Sequence, residues 1–134
     1  MNKKVILCVD DEIAVLSSLK TELKNNFGKD YIIEIAESGE EALELLTELL
    51  ESNYEIPLVI ADYIMPYMKG DELLKQVYLL SPGTMKILLT GEVTIDGMKK
   101  AINEANLYRY ITKPWQSEDL ALTVKKTVNS YLQN

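Results

Sequence analysis

Apolar positions along this chain follow two alternating rhythms. Short, nearly continuous apolar runs at Lys4–Val9, Tyr31–Ala36, Pro57–Ala61, Lys86–Thr90 and Leu107–Thr112 predict strands. Between them, apolar residues recur at three- and four-residue spacing, the helical rhythm. Glu12–Phe27 carries Ile13, Leu16, Leu19, Leu23 and Phe27 in this way and stops near Gly28. A second helix runs through Ala42, Leu45, Leu46, Leu49 and Leu50, and Ser38 with Glu41 three residues on forms its capping box. Asp71–Leu80, Ile95–Ala105 and a last helix capped by Ser117 and reaching about Leu132 complete the set. Tyr63–Gly70, with Pro66 and Gly70, reads as a loop.

Five strands alternating with five helices predict an α/β fold with one parallel sheet and helices on both faces. Residues 1–134 read as a single domain of ordinary size. In sheets of this kind the functional crevice lies at the C-terminal ends of the strands. The chemically capable residues fall there. Asp10 and Asp11 follow the first strand, Asp62 the third, Thr90 closes the fourth and Lys113 follows the fifth.

Composition narrows the choice. The net charge is -7, which argues against binding a nucleic acid backbone. No apolar run reaches the ~20 residues of a membrane span, and the first residues do not read as a signal peptide. The single cysteine, Cys8, sits inside an apolar run, so a buried thiol in a reducing cytoplasm is expected. There is no histidine, which excludes a phosphohistidine, a His-based triad and a His-ligated zinc within the chain.

Three carboxylates gathered in one crevice repel unless a cation shares them. Asp10, Asp11 and Asp62 therefore suggest a hard, oxygen-liganded ion such as Mg²⁺. With an ion there, Asp62 is placed to act as a nucleophile toward a phosphoryl group. Lys113 offers a point charge and Thr90 a rotatable hydroxyl for the phosphoryl oxygens. Pro114 restrains the loop behind Lys113, and Met65-Pro66 gives a rigid turn beside Asp62.

Four segments carry a family resemblance: VDDE at Val9–Glu12, ADYIMPYMKG at Ala61–Gly70, LLTG at Leu88–Gly91 and YITKPW at Tyr110–Trp115. Together, in order, they resemble the receiver domain of two-component response regulators. The resemblance implies a flavodoxin-like doubly wound sheet of strand order 2-1-3-4-5. It implies that Asp62 is the phosphoacceptor, and that Asp11, Asp62 and the backbone carbonyl of Ile64 bind Mg²⁺, with Asp10 assisting mainly through water. Lys113 is similar to the lysine that pairs first with the acceptor and then with its phosphate. Thr90 and Tyr110 resemble the switch pair, a hydroxyl that moves to the phosphate and an aromatic that turns inward behind it. The implied donor is a histidine kinase or histidine phosphotransfer domain.

The implied outcome is a shift of the Ile95–Ala105 helix, the fifth strand and the last helix toward a partner, an output domain or a homodimer. Met98, Lys99, Ile102, Asn103, Tyr108 and Trp115 fall on that face. Ile64 is bulky two residues after the acceptor and is expected to shield it from water; Glu92 adds charge near the mouth. Two other readings compete. A phosphatase of the haloacid dehalogenase type would need a motif that neither Asp10-Asp11-Glu12-Ile13 nor Asp62-Tyr63-Ile64 supplies. A degenerate receiver used only for docking would not need the complete pocket. The resemblance leaves open whether the chain is a stand-alone regulator or part of a longer protein.

Overall fold

The computed structural model describes residues 3–91, 99, 103–104 and 106–133. The described elements are β1 (Lys4–Val9), α1 (Ile13–Phe27), β2 (Ile32–Ala36), α2 (Gly39–Glu51), β3 (Glu55–Asp62), α3 (Gly70–Leu80), β4 (Met85–Thr90), β5 (Arg109–Thr112) and α4 (Ser117–Gln133). The five strands form one parallel sheet in the order β2-β1-β3-β4-β5. Four helices are seen among the described residues, against five expected. The fifth, Ile95–Ala105, falls mostly outside them; within it Lys99, Asn103 and Glu104 are helical.

Alternation along the strands divides the core in two. Val5, Leu7 and Val9 of β1 face α2 and α3, meeting Leu46, Leu73, Leu74 and Val77. Ile6 and Cys8 face the other way, against Leu16, Leu19 and Leu23 of α1 and Leu120, Val124 and Val128 of α4. Central strands buried on both faces need apolar residues at every position, which is why β1 reads as an unbroken run. Burial also pushes the Cys8 thiol far up, leaving it inert.

Pro57 leaves a mark on the sheet. It has no N–H for the ladder, and the β1–β3 register gains one residue there, between Lys4↔Glu55 and Ile6↔Leu58. The strand therefore begins two residues before the expected Pro57.

The helix starts hold three corrections. The Ser38 hydroxyl accepts from the Glu41 amide at 3.1 Å as expected, but the Glu41 carboxylate accepts from Glu37 N–H at 3.3 Å. Ser117 does not cap the last helix from outside. It is the first residue of α4, and its hydroxyl donates to Glu22 on α1. Ile13, expected in the core stripe, is exposed; the buried face of α1 begins at Leu16.

Candidate functional site

The C-terminal ends of β1, β3 and β5 converge on one acidic pocket. β1 delivers Asp10 with no exposed surface, and β3 ends on Asp62, 5% exposed. Asp11, the next residue along, is exposed to solvent. Each of the three offers a carboxylate oxygen, and these atoms lie within 4.8 Å of one another.

Lys113 enters from the end of β5. Its Nζ donates to Asp10 Oδ2 at 2.8 Å and lies 3.0 Å from Asp62 Oδ1 and 3.8 Å from Glu12 Oε1. Its backbone N–H donates to the Thr90 carbonyl at 2.9 Å, fixing the strand end that carries it. The Lys113–Pro114 peptide is cis. Asp10 is engaged on both sides, since its Oδ1 accepts the Glu12 N–H at 2.9 Å. Asp10, rather than Asp11, therefore secures the entry to α1.

Electrostatics reflect an excess of negative charge. Burial raises the Asp62 pKa above the ordinary carboxylate value. The hydrogen bond from Lys113 pulls it down, but the charges of Asp10 and Asp11 push it up, and the net direction is up. Burial works to lower the Lys113 pKa, yet its bonds to Asp10 and Asp62 outweigh that and raise it. Lys113 is thus a fixed cation, and one cation does not balance Asp10, Asp11 and Asp62. A divalent ion with oxygen ligands fits the remaining charge and the clustered carboxylate oxygens.

The other expected site residues fall around this centre. Thr90 is buried at the end of β4. Ile64 lies in the loop after Asp62 with its side chain 65% exposed. Tyr110, on β5, is 47% exposed. The loop is anchored from below: Met65 is buried in the core and Met68 packs on Gly39 at the start of α2. Tyr67, in the same loop, has φ of 69° and a fully exposed ring. Met98 and Ile102 of the expected readout face, and Glu92, lie outside the described residues. Tyr108 on that face shares a 3.1 Å hydrogen bond with Ser130 of α4.

Two residues of the site were not singled out from sequence. Gly70 begins α3 against the backbone carbonyl of Asp62, where a Cβ would lie 2.2 Å from that oxygen. Its signal was present, a glycine at a loop–helix junction, but nothing showed what it approached. Glu22 of α1 accepts from Trp115 Nε1 at 2.5 Å and from the Ser117 hydroxyl. No local signal marks it.

The model of the response regulator receiver domain matches residues 6–125, most of the chain and all of the pocket. The chain belongs to this family. The receiver is 32% identical over 126 residues to the hydrogenase transcriptional regulatory protein HoxA of Bradyrhizobium diazoefficiens, covering 94% of this chain and 24% of that protein. It is 34% identical over 113 residues to the chemotaxis protein CheY of Halobacterium salinarum, covering 84% of this chain and 87% of that one. Among solved structures, the signal receiver domain of an HD domain-containing protein from Pseudomonas fluorescens Pf-5 matches with a TM-score of 0.87 and 32% identity, over 99% of this chain and 100% of that one. The receiver spans about a quarter of the length of the first curated relatives it matches. No helix among the described residues is long and apolar enough to cross a membrane.

Proposed function

We propose that this receiver is a phosphorylation-controlled switch that takes a phosphoryl group on Asp62 in a Mg²⁺-dependent reaction. The observation that carries this reading is the convergence of Asp10, Asp11, Asp62 and Lys113 from three strand ends into one pocket. Asp11, Asp62 and the Ile64 carbonyl are the proposed ligands of the ion. Asp10, already held by Lys113 and the Glu12 amide, assists it through water. Mg²⁺ in this place supplies charge neutralisation for the incoming phosphoryl group.

The protein residues account for the rest. An Asp62 carboxylate oxygen attacks phosphorus, a P–O bond forms, and the bond from phosphorus to the donor's imidazole nitrogen or acyl oxygen breaks, its electron pair leaving with the imidazole or carboxylate. Lys113 stands 3.0 Å from Asp62 and exchanges part of its carboxylate pairing for a phosphoryl oxygen. Thr90 donates its hydroxyl to another. Tyr110, exposed on β5, then turns inward behind Thr90. The differential affinity of the phosphoryl group for this second arrangement shifts the population toward it. No histidine is present in the chain, so the donor is a histidine kinase, a phosphotransfer domain or a small acyl phosphate.

The receiver catalyses only its own phosphorylation and slow dephosphorylation; it acts in the cytoplasm on an output domain, a target protein or a second copy of itself. The face of β5 and α4, with Tyr108, Tyr110, Asp119 and Thr123 around a groove of about 820 Å³, is the described part of the proposed output surface.

Incubation with acetyl phosphate and Mg²⁺ is expected to add one phosphoryl group per chain, and EDTA is expected to prevent it. Equal labelling in EDTA would remove the metal from the mechanism. Ile64 shields the acyl phosphate in this scheme. Ile64→Asn is expected to shorten the phosphoryl half-life several-fold, measured by loss of label after donor removal; an unchanged half-life assigns Ile64 no such role.

A further inference from the structure

Glu22 lies far along α1 from the pocket, yet it grips the loop that leaves β5. Both of its carboxylate oxygens are used. Oε2 accepts the Trp115 indole N–H at 2.5 Å, and Oε1 accepts the Ser117 hydroxyl. Both donors are neutral side chains and the acceptor is a carboxylate, the pairing that forms charge-assisted hydrogen bonds. Trp115 is half-buried against the core between α1 and α4. The gripped residues stand two and four positions after Lys113.

The consequence follows from connectivity. Lys113 is tied upstream to β4 through its amide and the Thr90 carbonyl. Downstream, the loop is tied to α1 by the bonds of Trp115 and Ser117 to Glu22. α1 is also the element that follows Asp10 and Asp11, so a bond from α1 to the Lys113 loop fixes the ammonium relative to the carboxylates. A groove of about 530 Å³ lies beside Lys113, lined by Glu12, Val15, Glu22, Pro114 and Trp115 among others. Slack in the loop therefore has space to move into.

We propose that Glu22 is a positioning residue of the acceptor site, clamping Trp115 and Ser117 so that Lys113 is presented to Asp10 and Asp62. Its effect on phosphoryl transfer rests on the function proposed above; its effect on Lys113 does not. A group misplaced by a fraction of an ångström loses rate while the ion's carboxylate ligands stay where they are.

Two measurements on the intact chain separate these levels. The first is the rate constant of labelling by acetyl phosphate across a Mg²⁺ titration. Glu22→Ala is expected to lower it roughly tenfold at saturating Mg²⁺, with half-saturation by Mg²⁺ changed less than about twofold. Glu22→Gln keeps a carbonyl acceptor for Trp115 and is expected to restore most of the rate. The second is acylation of Lys113 by dilute acetic anhydride, read by mass spectrometry in the absence of donor. Glu22→Ala is expected to raise it several-fold while acylation of buried Lys86 stays low, and the emission of Trp115, the single tryptophan, is expected to shift to the red.

Trp115→Phe, which removes the N–H and keeps an aromatic ring, serves if Glu22→Ala fails to fold. It is expected to slow labelling and raise Lys113 acylation in the same sense. Unchanged labelling and unchanged Lys113 acylation in these variants would overturn the clamp. So would a loss of Lys86 protection in step with Lys113, which would mean general loosening. Raised Lys113 acylation in a protein whose wild type takes no label would support the clamp and overturn the phosphoacceptor reading.

Discussion

Gly70→Ala is expected to destabilise the receiver by ~2 kcal/mol and to weaken the acidic pocket with it. Helix propensity predicts the opposite, a gain of up to ~1 kcal/mol for alanine over glycine. Contact decides the sign. The added Cβ would lie 2.2 Å from the Asp62 carbonyl oxygen, 2.9 Å from its carbon and 2.9 Å from Leu88 Cδ1. The first two are backbone atoms that have no rotamer to escape into. The same junction is held by the Gly70 N–H donating to the Tyr63 carbonyl at 2.8 Å. α3 or the end of β3 must move, and the end of β3 carries Asp62. A lower urea midpoint and a weaker Mg²⁺ titration are the expected results. A variant as stable as wild type would show that α3 shifts freely.

The second large effect concerns Lys86, which the sequence places at the start of a strand and the structure places in the interior at 1% exposure. Its ammonium donates to the Thr84 carbonyl at 2.7 Å and lies 5.0 Å from the centre of the Tyr78 ring. Burial lowers its pKa from 10.5 to about 8. The folded state therefore releases this proton more readily than the unfolded state. Below about pH 8 both states are charged, and the full cost of burying the charge is present. From about 8 to 10.5 the unfolded chain binds more protons, so stability rises with pH and the cost disappears.

A shift of this size corresponds to about 3 kcal/mol. Lys86→Met removes the charge but gives up a hydrogen bond of ~1 kcal/mol and the ring contact. A net gain of roughly 1–2 kcal/mol at pH 7 is expected, falling through zero as pH rises and becoming a net loss of about 1 kcal/mol near pH 10.5, where only the lost hydrogen bond remains. Urea denaturation of both proteins across that range measures it. A variant less stable than wild type at pH 7 would show that the Thr84 and Tyr78 contacts outweigh the burial of the charge.

These two residues show where sequence stops being legible. The rhythm of apolar runs places every described strand and helix within a few residues, because burial on both sheet faces leaves strong periodic marks. The four pocket residues Asp10, Asp11, Asp62 and Lys113 were equally visible, since strand ends of a parallel sheet converge by topology. What stayed hidden depends on side-chain contacts between distant segments. Ser117 has the chemistry of a helix cap, and only the packing of α4 on α1 turns its hydroxyl to Glu22. Ile13 fits the stripe of α1, but the burial of that helix begins only at Leu16. Asp10 and Asp11 are equivalent as letters. Their division of labour, one buried and doubly bonded and the other exposed, comes from the turn out of β1.

The central claim is that Asp62 receives a phosphoryl group with the help of the ion its neighbours hold. The most direct test compares wild type with Asp62→Asn after acetyl phosphate and Mg²⁺, by intact mass and by mapping the labelled peptide. Wild type is expected to gain one phosphoryl group in the peptide containing Asp62, and Asp62→Asn to gain none. Equal labelling of Asp62→Asn, or a label mapped to another residue in wild type, would contradict the account.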